Sequence, residues 1–301
     1  MGAGQERALR QRIKSVEATK KITRAMELIA ASQISKAQNR IATSRPYQNA
    51  IARALAETSA EIGFGGNSLL GEIDSPTRVI ILAVVSDRGL CGGYNNSVLR
   101  TVERTYKNYT QQGVEVTLTT VGKKAQNYFR FRSIPVENSY VSMTDKPQFN
   151  DAIEIGSQFM APILETGLDS PGLKAEIIST RFLSPGVQKV EEFQLFPILQ
   201  DSSDEEEGEK VAKALPEIEP EAPILLQQLL PQYIETAIFA ALLEASASEH
   251  TARQRAMSAA TENAEELIKT YVREMNRVRQ EAITTEIMEI VGGAEALKSS
   301  N

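Results

Sequence analysis

From Tyr233 to Leu297 the chain contains no proline, and its only glycines are the pair Gly292–Gly293. Apolar side chains recur there at Leu267, Tyr271, Met275, Val278, Ala282, Ile287, Ile290, Ala294 and Leu297, mostly in steps of three or four. That is the seam of a helix packed on another helix. The start repeats the spacing at Leu9, Ile13, Val16, Ile22, Met26, Ile29, Ile34, Ala37 and Ile41. Two long helices are expected to pair, with Ile22, Met26 and Ile29 of the first and Met275, Val278 and Ala282 of the second in the shaft seam. At 1.5 Å rise per residue, a helix of about 65 residues spans roughly 100 Å. A chain builds such a rod to move or connect other proteins.

The middle third has a different character. Arg78–Ser86 (RVIILAVVS) is a continuous apolar, β-branched run, the pattern of a strand buried on both faces. Gly89–Gly93 punctuates it, and Asn95–Tyr109 reads as a helix. Val114–Val121 alternates as a strand, Lys123–Phe131 is a short helix and Ser133–Val136 a short strand. Asn150–Leu164 is a helix; Lys174–Phe182 and Val187–Pro197 are strands that form a hairpin around Ser184-Pro-Gly186. This alternation implies a small α/β domain with a largely parallel sheet. The chain then divides into a helix over 1–62, with Pro46 kinking or breaking it, an inserted α/β domain over 63–200, an acidic, proline-rich flexible segment over 201–230 and a second helix over 231–301. Asp201–Glu209 holds six acids in nine residues, a density that repels and resists burial. Pro216, Pro220, Pro223 and Pro231 are expected to prevent a regular helix until Pro231, which suits a first helical turn.

Composition narrows the chemistry. The single cysteine, Cys91, excludes an internal disulfide and any multi-cysteine zinc site. The single histidine, His250, excludes a His-based metal cluster, and its neighbours Glu249, Thr251 and Arg253 suggest a solvated helix face. No cofactor site is expected. No run approaches the roughly 18 apolar residues of a membrane span, and the first residues lack the apolar core of a secretory leader. The reading is a cytoplasmic protein, on a membrane only through a partner. The net charge of −6 hides a basic start, with ten Lys/Arg against three Glu in residues 1–45. This is either a solvated face opposite the acidic second helix or a contact with an acidic partner. No aromatic residue precedes Tyr47 to stack bases, which argues against nucleic acid.

Three motifs remain. Ser86-Asp-Arg-Gly-Leu-Cys-Gly-Gly-Tyr-Asn95 joins a strand end to a helix start, where α/β folds bind phosphates. It matches neither the dinucleotide nor the P-loop pattern and lacks the P-loop lysine. The plain alternative is a tight turn that needs glycine geometry at Gly89, Gly92 and Gly93. Lys21-Ile-Thr-Arg-Ala-Met-Glu27 reads as core seam plus solvated charge. In Asn276–Leu297 the seam leaves Arg279, Gln280, Thr284 and Glu286 off it, all able to make directional hydrogen bonds. Beyond them Ile290, Val291, Ala294 and Leu297 form an apolar tip that needs a cover.

In this order, around an inserted α/β domain, these motifs resemble the gamma subunit family of the bacterial F-type ATP synthases. The C-terminal stretch N-x-x-R-Q-x-x-I-T-x-E-I-x-E-I-V-x-G-A-x-A-L is the most specific match, followed by S-D-R-G-L-C-G-G and K-I-T-x-A-M. The chain departs from the family pattern at Glu281, where alanine is usual. The resemblance implies a long antiparallel coiled coil of the N- and C-terminal segments with an inserted Rossmann-like α/β domain. It implies the central rotor shaft, which couples rotation of the membrane c-ring to conformational change in the alpha and beta ring, with no active site of its own. The expected partners are the alpha, beta and epsilon subunits and the c-ring, without nucleic acid and without insertion into the membrane. The expected place is the cytoplasmic face of the cell membrane. By family position Arg279, Gln280, Thr284 and Glu286 would contact beta, and the apolar tip would sit in a bearing. The region around Ser35–Arg45 would face epsilon and the c-ring. The competing reading is a nucleotide-dependent α/β enzyme with a coiled-coil arm, acting at Gly89–Gly93.

Overall fold

A β-branched run with no polar interruption folds as a strand only when both of its faces are covered, and Arg78–Val84 is such a strand, β1. In the computed structural model, which describes residues 2–62, 73, 75–166, 172–198 and 221–299, β1 is the centre of a five-stranded sheet. The chain order is α1 (Gly2–Ile62), β1, α2 (Tyr94–Gln111), β2 (Glu115–Val121), α3 (Lys123–Phe131), β3 (Asn138–Tyr140), α4 (Phe149–Thr166), β4 (Leu173–Phe182), β5 (Gln188–Phe196) and α5 (Ala222–Ser299). The strands lie in the order β3-β2-β1-β4-β5. β1 pairs in parallel with β2 and β4, β2 with β3 likewise, and β4–β5 is the antiparallel hairpin. The short strand falls at 138–140, a little past the expected 133–136. Ile134 and Val136 instead pack from the side onto the core.

The chain forms two compact units, one of residues 1–31 with 253–301, the other of residues 32–252. In the second unit the alternating side chains of β1 feed two cores. Val79, Ile81, Ala83 and Val85 meet Val98, Leu99 and Val102 of α2 and Ala125 and Phe129 of α3. Ile80, Leu82 and Val84 meet Ala152, Ile155 and Phe159 of α4 and Leu226, Leu230, Ile234, Ile238 and Leu242 of α5. The first part of α5 is therefore a layer of the α/β domain.

This layer corrects the expected helix start. α5 begins at Ala222, nine residues early, and Pro231 lies inside it. An interior proline costs about 3 kcal/mol, and burying a leucine or isoleucine returns about 1.5–3 kcal/mol each. Leu226, Leu230 and Ile234 flank Pro231 and are at most 3% exposed. Likewise α1 runs through Pro46 without a break. The acid-rich stretch Asp201–Glu209 and the glycines near 65 lie outside the described residues.

The solvated face expected around His250 is a second correction. Glu249, His250, Thr251 and Arg253 are all buried, as are Ala245, Ser246, Ala247 and Ser248. Within the second unit α1 covers one side through Ala37 and Ile41, which share a core with Phe182, Leu243 and Ala247. Thr180 and Asp145 take other sides, accepting hydrogen bonds from Ser248 (3.4 Å) and Ser246 (3.2 Å). Tyr94 donates to the carbonyl of Ala245 at 3.1 Å. Small side chains let all these neighbours approach, and the buried hydroxyls of Ser246, Ser248 and Thr251 each keep a partner.

In the first unit α1 and α5 run antiparallel. Thr23 Oγ1 meets Thr261 Oγ1 at 2.8 Å, and Lys20 Nζ meets Glu265 Oε1 at 2.7 Å, so three steps back along α1 match four steps forward along α5. The covered positions of α1 are Leu9, Ile13, Val16, Lys20, Thr23, Glu27 and Ala30, a strict alternation of four and three. Ile22 and Ile29, expected in the seam, are 62% and 61% exposed, one residue off it; Met26 is half-buried. On α5 the seam is Met257, Thr261, Ala264, Ile268, Tyr271, Met275, Val278 and Ala282. Leu267 gives its place to Ile268 and is 46% exposed.

Candidate functional site

The seam of α5 ends at Ala282, and every described side chain from Ile283 to Ala294 is exposed. Continued at the same spacing, seam positions would be Thr285, Glu289 and Gly292, none of them apolar. The apolar residues stand elsewhere. Ile283, Ile287, Ile290, Val291 and Ala294 form a stripe turned by roughly 130° from the seam at about 100° per residue. Ile283, Ile287, Ile290 and Val291 are 49%, 54%, 72% and 52% exposed. Ile287, Ile290 and Ala294 therefore do not continue the seam; they face away from it. Leu297 lies in α5, with its side chain outside the described part.

The candidate contact residues border this stripe. Gln280 and Thr284 lie along one flank, Arg279 and Glu286 along the other, all exposed. The Thr284 hydroxyl donates to the Gln280 carbonyl at 2.9 Å, which leaves its oxygen to accept from outside. Arg279, the Gln280 carboxamide and Glu286 have no partner among the described residues. Glu281, the departure from the family pattern, lies 3.8 Å from Arg277 in a solvated ion pair, the kind worth only about 0.3–0.5 kcal/mol. An uncovered apolar stripe edged by hydrogen-bonding groups is how a helix prepares to be received by a groove.

The other candidate, the glycine-rich turn, is internally wired. The Ser86 N–H donates to Asn95 Oδ1 at 2.9 Å, and the Ser86 hydroxyl lies 2.5 Å from the carbonyl of Arg88. Asn95 Nδ2 donates to Cys91 Sγ at 3.2 Å. Asp87 is fully used: Oδ1 accepts the N–H of Lys123 at 3.0 Å, at the start of α3, and Oδ2 accepts the hydroxyl of Thr144 at 2.9 Å. The Asp87 carboxylate thus takes the N-terminus of α3, the helix after β2, and ties the turn to it. Of the three glycines expected to need special geometry, only Gly92 has a positive φ, +58°; Gly93 sits at −83°, and the left-handed residue beside them is Leu90. The glycine the turn depends on is Gly122, on the neighbouring strand end. Its φ is +102°, and a Cβ there would stand 2.2 Å from the carbonyl oxygen of Val85.

The family model described as ATP synthase matches residues 5–297. The ATP synthase gamma chain of Parafrankia sp. (strain EAN1pec) is 43% identical over 303 residues, 99% of each chain. That of Clavibacter michiganensis subsp. michiganensis is 43% identical over the whole of both. The chain belongs to the ATP synthase gamma chain family. Solved structures share the fold at lower identity. A chain of the Euglena gracilis mitochondrial ATP synthase (OSCP/F1/c-ring) is 17% identical with a TM-score of 0.67, covering 99% of this chain and 96% of that one. A chain of the Tetrahymena thermophila mitochondrial ATP synthase central stalk/c-ring is 22% identical with a TM-score of 0.57, covering 79% and 99%. For this gamma chain the conspicuous surface is the uncovered end of α5. Among the described residues no three His, Cys, Asp or Glu are grouped to hold a metal, and no helix is long and apolar enough to cross a membrane.

Proposed function

We propose that this gamma chain is the central rotor shaft of a proton-translocating F-type ATP synthase and carries no catalytic centre of its own. The observation that carries the reading is the end of α5: the apolar stripe Ile283–Ala294, turned off the seam and edged by Arg279, Gln280, Thr284 and Glu286. A groove made by the alpha and beta subunits would receive the stripe as a bearing, and the polar flanks would contact beta. The shaft presents a different face to each of three chemically identical beta subunits. Each contact biases the open–closed equilibrium of its beta subunit by the difference in contact energy between the two states, and rotation passes those states around the ring. The opposite end of the complex would hold epsilon and the c-ring, which places the chain peripherally at the cytoplasmic face of the cell membrane. The internally bonded turn at Ser86–Asn95 supports this reading over a nucleotide-dependent enzyme.

The test is the double substitution Gln280→Ala with Thr284→Ala in the reconstituted complex. Changes at merely solvated positions stay within about 0.5 kcal/mol of neutral, whereas lost polar contacts are worth on the order of 1 kcal/mol each. The expected result is an assembled complex whose ATPase turnover falls several-fold. Unchanged turnover with intact assembly would overturn the contact assignment.

A further inference from the structure

The second unit contains a polar cleft of about 350 Å³, apart from the beta-contact surface and lined in part by the stretch Ser35–Arg45 expected to face epsilon and the c-ring. Its walls come from α1, from the β3–α4 loop and from the buried stretch of α5. Lys36 and Arg40 face in from α1, Asp145 and Lys146 from the loop, Ser246 and His250 from α5. The floor is fixed. Ser246 and His250, 3% and 4% exposed, both reach the carbonyl of Asp145, at 3.2 and 3.4 Å. Arg40 donates one of its N–H groups to the carbonyl of Pro147, which holds the loop against α1 and leaves the rest of its fork unspent.

The rim is incompletely neutralised. Three permanent cations share the cleft with one carboxylate, and that carboxylate stands 3.9 Å from His250 Nε2. Lys36 and Lys146 have no carboxylate within ion-pair distance among the described residues. Like charges gathered in one concavity focus a positive potential, which an anion relieves. Two ammonium groups and the free side of a guanidinium present more donors than the two oxygens of a carboxylate can accept. A tetrahedral oxyanion, with four oxygens and up to two charges at neutral pH, matches them better.

We propose that this cleft is a binding site for the phosphate group, either free orthophosphate or a small phosphate monoester. Calorimetric titration of the full-length chain at constant ionic strength tests it, with orthophosphate and glycerol phosphate as the two probes and chloride as the control. One-to-one saturable binding is expected for at least one phosphate probe and not for chloride; the tighter probe identifies the source. The pair Lys36→Met and Lys146→Met, at exposed positions that do not hold the fold, should weaken binding about tenfold or more, as loss of charge-assisted contacts does, with unchanged melting. Arg130→Met, an exposed cation on α3, should leave it unaltered. No saturable binding of either probe up to tens of millimolar would overturn the proposal. So would a double variant that binds like the parent, or an equal loss from Arg130→Met.

Discussion

At the scale of the residue, the tightest constraint in the α/β domain is Gly122. Its positive φ and the 2.2 Å approach of a virtual Cβ to the Val85 carbonyl act together. Gly122→Ala should therefore destabilise the chain by about 2–4 kcal/mol, since backbone must move to admit it. Gly93→Ala, at φ −83° with no atom within 4 Å of its virtual Cβ, should cost under about 1 kcal/mol. Urea denaturation of the two variants decides it, and equal losses would discard the distinction. Glu244 offers a pH test. Burial raises its carboxyl above the ordinary range, against the opposing pull of the Phe182 N–H that it accepts at 3.3 Å. A carboxyl raised in the folded state weakens folding once pH exceeds the unfolded value, and stability recovers as pH falls back through the folded value. Glu244→Gln should accordingly raise the melting temperature at neutral pH and lose that advantage below the ordinary carboxylate range. A gain that persists in acid would point to packing instead. Neither position was legible in the sequence. The run Gly89–Gly93 attracts the eye, but the need for glycine arises where β2 passes β1, a contact that spacing does not reveal.

At the scale of the element, the two helices of the first unit follow a strict heptad that their composition obscures. Counting on from Leu9, Ile13 and Val16 in fours and threes leads through Lys20, Thr23, Glu27 and Ala30, and that is the face covered by α5. Choosing the most apolar neighbours instead, Ile22 and Ile29, shifts the seam by one residue. The repeat was readable, but hydrophobicity competed with it. Small and polar side chains win because Thr23 and Thr261 satisfy one another and Lys20 pairs with Glu265. That pairing holds the Glu265 carboxyl below its usual range through the Lys20 hydrogen bond. Two experiments follow. Thr23→Val alone should cost about 1 kcal/mol, because it removes one partner of a buried pair, and adding Thr261→Val should recover part of the loss. Additive losses in that double-mutant cycle would mean the hydroxyls do not interact. Ile22→Ala and Ile29→Ala, off the seam, should each leave the melting of the isolated chain within about 0.5 kcal/mol of the parent. A larger drop would return them to the core.

At the scale of the whole molecule, the strand–helix alternation announced the parallel sheet and the proline-free stretch announced the long C-terminal helix, because both are local patterns repeated many times. The dual role of α5 was hidden: its first part closes the sheet, its middle is buried on every side, and its end is uncovered. Those roles depend on what the rest of the chain brings to each turn. They also make a prediction that separates folding from function. Past Ala282 no described side chain is buried, so residues 283–294 add little to the stability of the chain itself. A chain ending at Ala282 should fold with the circular dichroism of a helical protein and melt within about 1 kcal/mol of the parent, the range of surface changes. The same truncation removes the apolar stripe, Thr284 and Glu286 together. A stripe with four large apolar side chains, half-exposed or more before docking, is worth several kcal/mol when a groove covers it, at about 1.5–3 kcal/mol per large side chain fully buried. The truncated chain should therefore enter the alpha–beta complex less readily, and the complexes that form should turn over ATP more slowly than those carrying Gln280→Ala with Thr284→Ala. Melting of the isolated chain and turnover of the purified complex are the two readings. If truncation lowers melting substantially, the end of α5 is part of the fold; if turnover and assembly both survive it, the stripe is not the bearing surface.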